Sequence, residues 1–132
     1  IVRRPMLLNS TQINEIISKD LSANSGASCS FIKYKRIGIK IYNDKRDRNH
    51  AYKLQKKAHK HGLGPKPHQR FNLKNKYVYT TQLAKVNINY NRQLLRDKLK
   101  EIGIQAIDLH WRNVGKIKNR VVCIDFCPLS CS

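Results

Sequence analysis

Eight acidic residues stand against 27 lysines and arginines in this 132-residue chain. Two of the eight, Asp108 and Asp125, sit in or beside apolar runs. They lie in Ile107-Asp108-Leu109-His110-Trp111-Arg112-Asn113-Val114-Gly115 and in Val121-Val122-Cys123-Ile124-Asp125-Phe126. An aspartate at the end of an apolar strand costs free energy unless a metal ion or a hydrogen-bond network partners it. Asp108, Asn113 and Asp125 therefore read as one polar constellation. The fold has to bring the remainder of the chain around it.

The remaining composition narrows the class. The length suits one domain, or two small lobes sharing a cleft, with a real hydrophobic core. Apolar content of 40% fits a globular protein. No apolar run approaches the roughly 18 to 20 residues of a membrane span, and Ile1 to Asn9 is too short for a signal-peptide core. A soluble protein without a membrane span is expected. The formal charge of +19 attracts polyanions: nucleic acid, nucleotide phosphates, acidic membranes or acidic proteins. Cys123, Cys127 and Cys131 are spaced by four, but no Cys-x-x-Cys pair occurs and Pro128 interrupts any helix that would align them. Buried or terminal thiols are expected, not a zinc site. His50, His59, His61 and His68 fit no common zinc spacing either.

Read in order, residues 9 to 22 form a helix capped by Asn9 or Ser10, with Ile13, Ile16, Ile17 and Leu21 as its stripe. Residues 20 to 28 are a small-residue turn. Cys29–Tyr34 and Ile37–Tyr42 are strands. In the second, Ile37, Ile39 and Ile41 share one face and Gly38, Lys40 and Tyr42 the other. Taken alone, Lys40 reads as an edge-strand lysine that snorkels to water. Asn43 to Asp47 is a turn and helix start, and residues 48 to 62 form the strongest helix, with Ala51, Leu54, Gln55 and Ala58 on one side and Gly62 as its stop. Gln55 reads as a boundary residue or as an inward polar group. Lys66 to Lys76 is a basic loop or hairpin, 77 to 83 a strand, and 84 to 90 a linker. Asn91 caps a helix over 92 to 102 with Leu94, Leu95, Leu99 and Ile102 as its stripe. A polar turn at 116 to 120 precedes a short strand, 121 to 124. That order predicts an α+β protein of two parts joined near residues 84 to 90.

The parts suit phosphoryl transfer. An Asp and an Asn five apart, followed by an Asp after a short strand, offer hard oxygen ligands to a divalent cation. A lysine on an upstream strand can neutralise phosphate oxygens, and a small-residue turn lets backbone amides approach them. At this point the chain resembles the protein-kinase-like superfamily, in a very reduced form like the small kinase-like proteins of some phages. The resemblance covers roughly residues 25 to 127. Gly38-Ile39-Lys40-Ile41 is similar to the family's Val-Ala-Ile-Lys strand. Asp108-Leu109-His110-Trp111-Arg112-Asn113 resembles its catalytic loop, in the version of the aminoglycoside-kinase and lipopolysaccharide-kinase branch. Asp125-Phe126-Cys127 resembles its metal-binding Asp-Phe-Gly.

The resemblance implies a reduced kinase-like fold. Residues 1–86 would be the N-lobe-like part, a small antiparallel sheet with one main helix. Residues 87–132 would be a rudimentary C-lobe carrying the catalytic loop and the metal motif. It implies that Asp108 orients or deprotonates the acceptor hydroxyl and that Lys40 contacts the α/β-phosphates. Asn113 and Asp125 would bind Mg²⁺. Gly26, Ser28, Lys40, Gln55, Gln82 and Ala84 would surround ATP, with 81 to 86 as the hinge against adenine. Three departures stand out. Gly26 is alone in Ser25-Gly26-Ala27-Ser28, Gln55 stands where an acid would pair Lys40, and Cys127 replaces the last glycine. The expected activity is transfer of the γ-phosphate of ATP to a protein or small-molecule hydroxyl. Little sequence follows Asp125, so the acceptor is expected to be recognised by the basic surface, a partner, or a second copy of the chain. The alternative is a catalytically weak kinase-like protein whose basic surface binds an acidic protein or nucleic acid. The segment from Phe31 to Lys76, whose only acids are Asp44 and Asp47, motivates it. The expected location is the cytoplasm, that of the host for a viral protein.

Overall fold

The computed structural model describes residues 6–20, 29–86, 91–105, 109 and 113–126. These form an α+β structure with three helices and two antiparallel sheets. In chain order the elements are α1 (Ser10–Ser18), β1 (Cys29–Tyr34), β2 (Ile37–Tyr42), α2 (Lys45–Lys60), β3 (Pro67–Leu73) and β4 (Lys76–Gln82). Then come β5 (Lys85–Val86), α3 (Arg92–Glu101), β6 (Val114–Ile117) and β7 (Arg120–Cys123).

The larger sheet has the order β1-β2-β4-β3. β2 is an inner strand, with Lys40 opposite Phe31 on one side and Tyr79 on the other. All six of its residues are buried, because both faces of the sheet are covered. The predicted alternation decides which residue meets which layer. Ile37, Ile39 and Ile41 join Ile32 and Val78 in a core closed by Leu8, Ile13 and Ile17 of the α1 segment. Tyr42, on the opposite face, joins Tyr79 with Ala51 and Ala58 of α2. Fully burying one such isoleucine stabilises by roughly 1.5–3 kcal/mol.

Each helix starts where a side chain satisfies its first amides. Asn9 and Gln12 exchange side-chain-to-backbone bonds of 2.9 and 2.8 Å at the head of α1, a complete capping box. α1 ends at Ser18; Leu21, assigned to it from sequence, lies outside the described residues. α2 begins at Lys45, three residues earlier than its apolar stripe suggests, because Asp44 accepts from Arg46 N at 2.7 Å. It stops as expected at Gly62, whose φ of +73° is left-handed and cheap only for glycine. Asn91 caps α3 as expected, accepting from Gln93 N at 3.0 Å. On that helix Leu95 and Leu99 are buried, but Leu94 is 43% exposed, so the stripe is narrower than read.

The basic stretch from Lys66 is a true hairpin, β3–β4, turning at Asn75 with φ of 61°. Arg48 clamps it from α2. Its Nη1 donates to Phe71 O at 2.9 Å and to Val78 O at 3.1 Å, and its Nη2 to Asn72 Oδ1 at 2.7 Å. The smaller sheet, β5-β6-β7, contains two strands the sequence did not announce, β5 and β6. The second apolar core joins the larger sheet and α2 to α3 and the smaller sheet, bringing Tyr42, Ala51 and Tyr79 together with Leu95, Leu99, Leu109, Val114 and Phe126. Among the described residues no helix is long and apolar enough to cross a membrane.

Candidate functional site

Lys40 is the centre of the site, and its surroundings overturn the edge-strand reading. It is 4% exposed on an inner strand and cannot snorkel to bulk water. Strand order decides this, and nothing local to residues 37–42 reports it. A buried ammonium needs acceptors. Lys40 Nζ donates to Gln55 Oε1 at 3.0 Å and to the carbonyl of Ile124, the residue just before Asp125. Its ammonium also lies 5.5 Å from the Tyr79 ring centroid and 5.8 Å from that of Phe126, within cation–π range.

Gln55 is fully buried on the inner side of α2, at 0% exposure. It is not a boundary residue. Oε1 also accepts from the Tyr79 hydroxyl at 2.7 Å. Nε2 donates to Pro65 O at 2.9 Å and to Thr81 Oγ1 at 2.6 Å. The side-chain amide thus uses both lone pairs and both hydrogens. Swapping O for N would point donors at Lys40 and an acceptor at the Pro65 carbonyl, so only one orientation fits. Burial pushes the Tyr79 hydroxyl well above its ordinary range, which keeps its proton available to Gln55.

Asp125 and Asn113 are brought together by backbone pairing. Ile124 N donates to Asn113 O at 2.8 Å, and Cys123 N to Leu63 O at 2.8 Å. The segment leaving β7 is therefore tied both to the start of β6 and to the loop after α2. Gly115 allows this closeness. A Cβ there would stand 2.5 Å from Ile124 Cδ1 and 3.0 Å from Ala84 Cβ, so any side chain would push the linker and the Asp125 segment apart. The Cys123 thiol, pushed up to about 12 by burial against the opposing pull of Lys40, donates to Asp125 O at 3.3 Å.

These groups face a cavity of about 780 Å³. Phe31 and Lys33 of β1, the 81–86 segment, and Lys40, Asn113 and Asp125 all line it. Gln82 and Ala84 line it; Gln55 stands behind Lys40 as its anchor. A space of this size with an apolar wall and a few convergent polar groups is the usual form of a small-molecule site. Gly26, Ser28 and Asp108 lie outside the described residues, as do His110, Cys127 and Cys131. Pro65, Tyr79 and the Ile124 carbonyl are site components that sequence reasoning missed. The alternation of Tyr77, Tyr79 and Thr81 along β4 is the signal that could have placed Tyr79 and Thr81 on the face of Lys40.

Among the described residues no three or more His, Cys, Asp or Glu side chains gather closely enough to hold a metal ion. The donor set at Asp125 and Asn113, one carboxylate and one amide oxygen, still suits Mg²⁺, which takes one or two protein oxygens and completes its octahedron with phosphate and water. No protein-family model matches this chain, and no curated protein matches it in sequence.

Proposed function

We propose that the protein is an ATP- and Mg²⁺-dependent phosphotransferase on a reduced kinase-like fold. Residues 1–86 supply the nucleotide-holding sheet and α2, and residues 87–132 the metal and acceptor groups. The observation that carries this reading is that Lys40, Asn113 and Asp125 line one cavity together with the 81–86 segment. The three come from separate parts of the chain. They supply the cation, the amide and the carboxylate that phosphoryl transfer uses.

ATP supplies the transferable γ-phosphoryl group, and Mg²⁺ offsets the charge on its oxygens. Lys40, fixed by Gln55 and the Ile124 carbonyl, sets its positive charge against the α/β-phosphates without having to reorganise. Asp125 and Asn113 hold the metal. Asp108, in the role the resemblance implies, orients the acceptor hydroxyl and takes its proton as the oxygen bonds to phosphorus and ADP departs. The acceptor is a protein or small-molecule hydroxyl. The basic surface, a partner or a second copy of the chain completes its recognition.

Transfer from γ-labelled ATP tests this reading. The wild-type protein is expected to label an acceptor or itself. Lys40→Ala is expected to lose about 10²–10³-fold, and Asp125→Ala to lose all detectable transfer. In a thermal-shift experiment, ATP with Mg²⁺ at about 100 times Kd is expected to stabilise by roughly 2.7 kcal/mol, and ATP alone by less. Intact nucleotide binding with no transfer to any acceptor rejects the enzyme in favour of a kinase-shaped binding protein.

A further inference from the structure

A second cavity, of about 590 Å³, shares only Gln82 with the first among the described residues that line it. Gln82 is held to Lys66 by a two-bond joint. Gln82 N donates to Lys66 O at 2.9 Å, and Lys66 N to Gln82 Oε1 at 3.1 Å. The chemistry of the two cavities differs. Among the described residues, four permanent cations line the second cavity: Arg36 from the β1–β2 turn, Lys66 before β3, Lys118 from the β6–β7 turn, and Arg120 at the start of β7. No aspartate or glutamate among the described residues lines it.

The cations come from three separate segments, so helix periodicity or a local lysine run does not explain their convergence. The backbone makes room for one of them. The space a Cβ would take on Gly62 is bordered by Arg120, whose Nη1 would stand 3.2 Å away. Two half-buried histidines lie deeper. His59 Nδ1 is 3.2 Å from Gly64 O, so a proton on that nitrogen bonds the carbonyl. Burial, Lys66 and His59 hold the His68 pKa below its ordinary value. Like charges gathered around a concave surface repel one another, and a bound anion relieves that repulsion. Two of the four cations are guanidinium forks, whose geometry matches phosphate oxygens in pairs.

We propose that this cavity binds closely spaced phosphate groups, from either a free oligophosphate or the backbone of a single-stranded nucleic acid. The site is separate from the Lys40 cleft, and the proposal does not depend on the activity assigned to that cleft. Calorimetric titration with tripolyphosphate and with hexathymidylate tests it without Mg²⁺. The cavity variant is Arg36→Gln/Lys118→Gln/Arg120→Gln, all exposed positions. The control is Lys53→Gln/Lys56→Gln/Lys57→Gln, exposed on α2, with the same loss of charge. Circular dichroism checks that both fold.

The cavity variant is expected to bind at least tenfold more weakly, and the control to stay within threefold of wild type. For hexathymidylate, the salt dependence of log Kd is expected to fall by about 2 in slope for the cavity variant, since each neutralised phosphate of a single strand adds about 0.7. Binding of both ligands with this pattern identifies nucleic-acid backbone as a source; binding of tripolyphosphate alone identifies free oligophosphate. Equal weakening by the two triple variants, loss only in Lys40→Ala, or no binding of either ligand overturns the proposal.

Discussion

Lys40 and Arg48 are both buried cations facing the same helix–sheet interface, and they are held in opposite ways. Arg48 directs its guanidinium to the β3–β4 hairpin, bonding Phe71 O, Val78 O and the Asn72 side chain. Those two carbonyls belong to residues paired across the hairpin. Lys40 instead lines a cavity, and its acceptors are Gln55 of α2, outside the cavity lining, and the carbonyl of Ile124, within it. One cation closes structure; the other is presented by it. Burial alone therefore does not mark a functional charge, but burial at the edge of a formed space does.

The largest expected effect separates the two. Arg48→Met leaves the Phe71 and Val78 carbonyls without their donor and is expected to cost about 3–5 kcal/mol in denaturant unfolding. Transfer per folded molecule is expected to stay unchanged. Lys40→Met keeps an apolar stem against Tyr79 and Phe126 but takes the donor from Ile124 O and from one lone pair of Gln55, which keeps Tyr79. It is expected to cost about 1–3 kcal/mol, less than Arg48→Met. Its transfer rate is expected to fall about 10²-fold. If both variants lose stability and activity in proportion, the distinction between them is wrong.

Alkaline titration probes the buried thiol two residues before Asp125, with a smaller effect. The Cys123 thiol has a folded pKa of about 12 against an ordinary value of 9.0. The unfolded chain loses that proton first, so the contribution is complete below pH 9 and declines as pH rises toward 12. Stability is expected to fall by about 1.4 kcal/mol per pH unit in that window. Between pH 9 and 10, Cys123→Ala is expected to flatten the decline in chemical denaturation curves. An unchanged slope would mean that the thiol is not held in an apolar setting. The smallest effect belongs to Gln55→Glu. Lys40 keeps an oxygen acceptor while the Pro65 carbonyl loses its donor, so the expected cost is about 1 kcal/mol, with transfer within threefold of wild type. A tenfold loss of transfer would show that Gln55 does more than hold Lys40.

How much of this was legible in the sequence depended on the range of the cause. The faces of β2, the caps Asn9 and Asn91, and the stop at Gly62 follow from residues within a turn of each other, and they read correctly. The start of α2 was placed within 43 to 47, and Asp44 sets the boundary there; the apolar periodicity, which marks only the buried face, begins three residues later. β6 was missed because Val114-Gly115-Lys116-Ile117 is short and carries a glycine; its partners at 85–86 and 120–123 make it a strand. The burial of Lys40 depends on strand order and on Ile124, 84 residues away. A local reading therefore put Lys40 in water. Asn113 and Asp125 were grouped from two acids and an amide set beside apolar runs, and the resemblance supplied the role that ties Lys40 to them.

The neutral anchor under Lys40 has a consequence for selectivity inside a crowded field of charge. The chain carries a formal charge of +19, with basic side chains on most of its elements. A carboxylate at position 55 would be sought by many cations during folding, and acid could discharge it. The Gln55 amide draws no such long-range competition and has no proton to gain at mild pH. It recognises Lys40 by shape and hydrogen-bond direction alone, so the lysine keeps the same partner over a broad range of acidity and ionic strength.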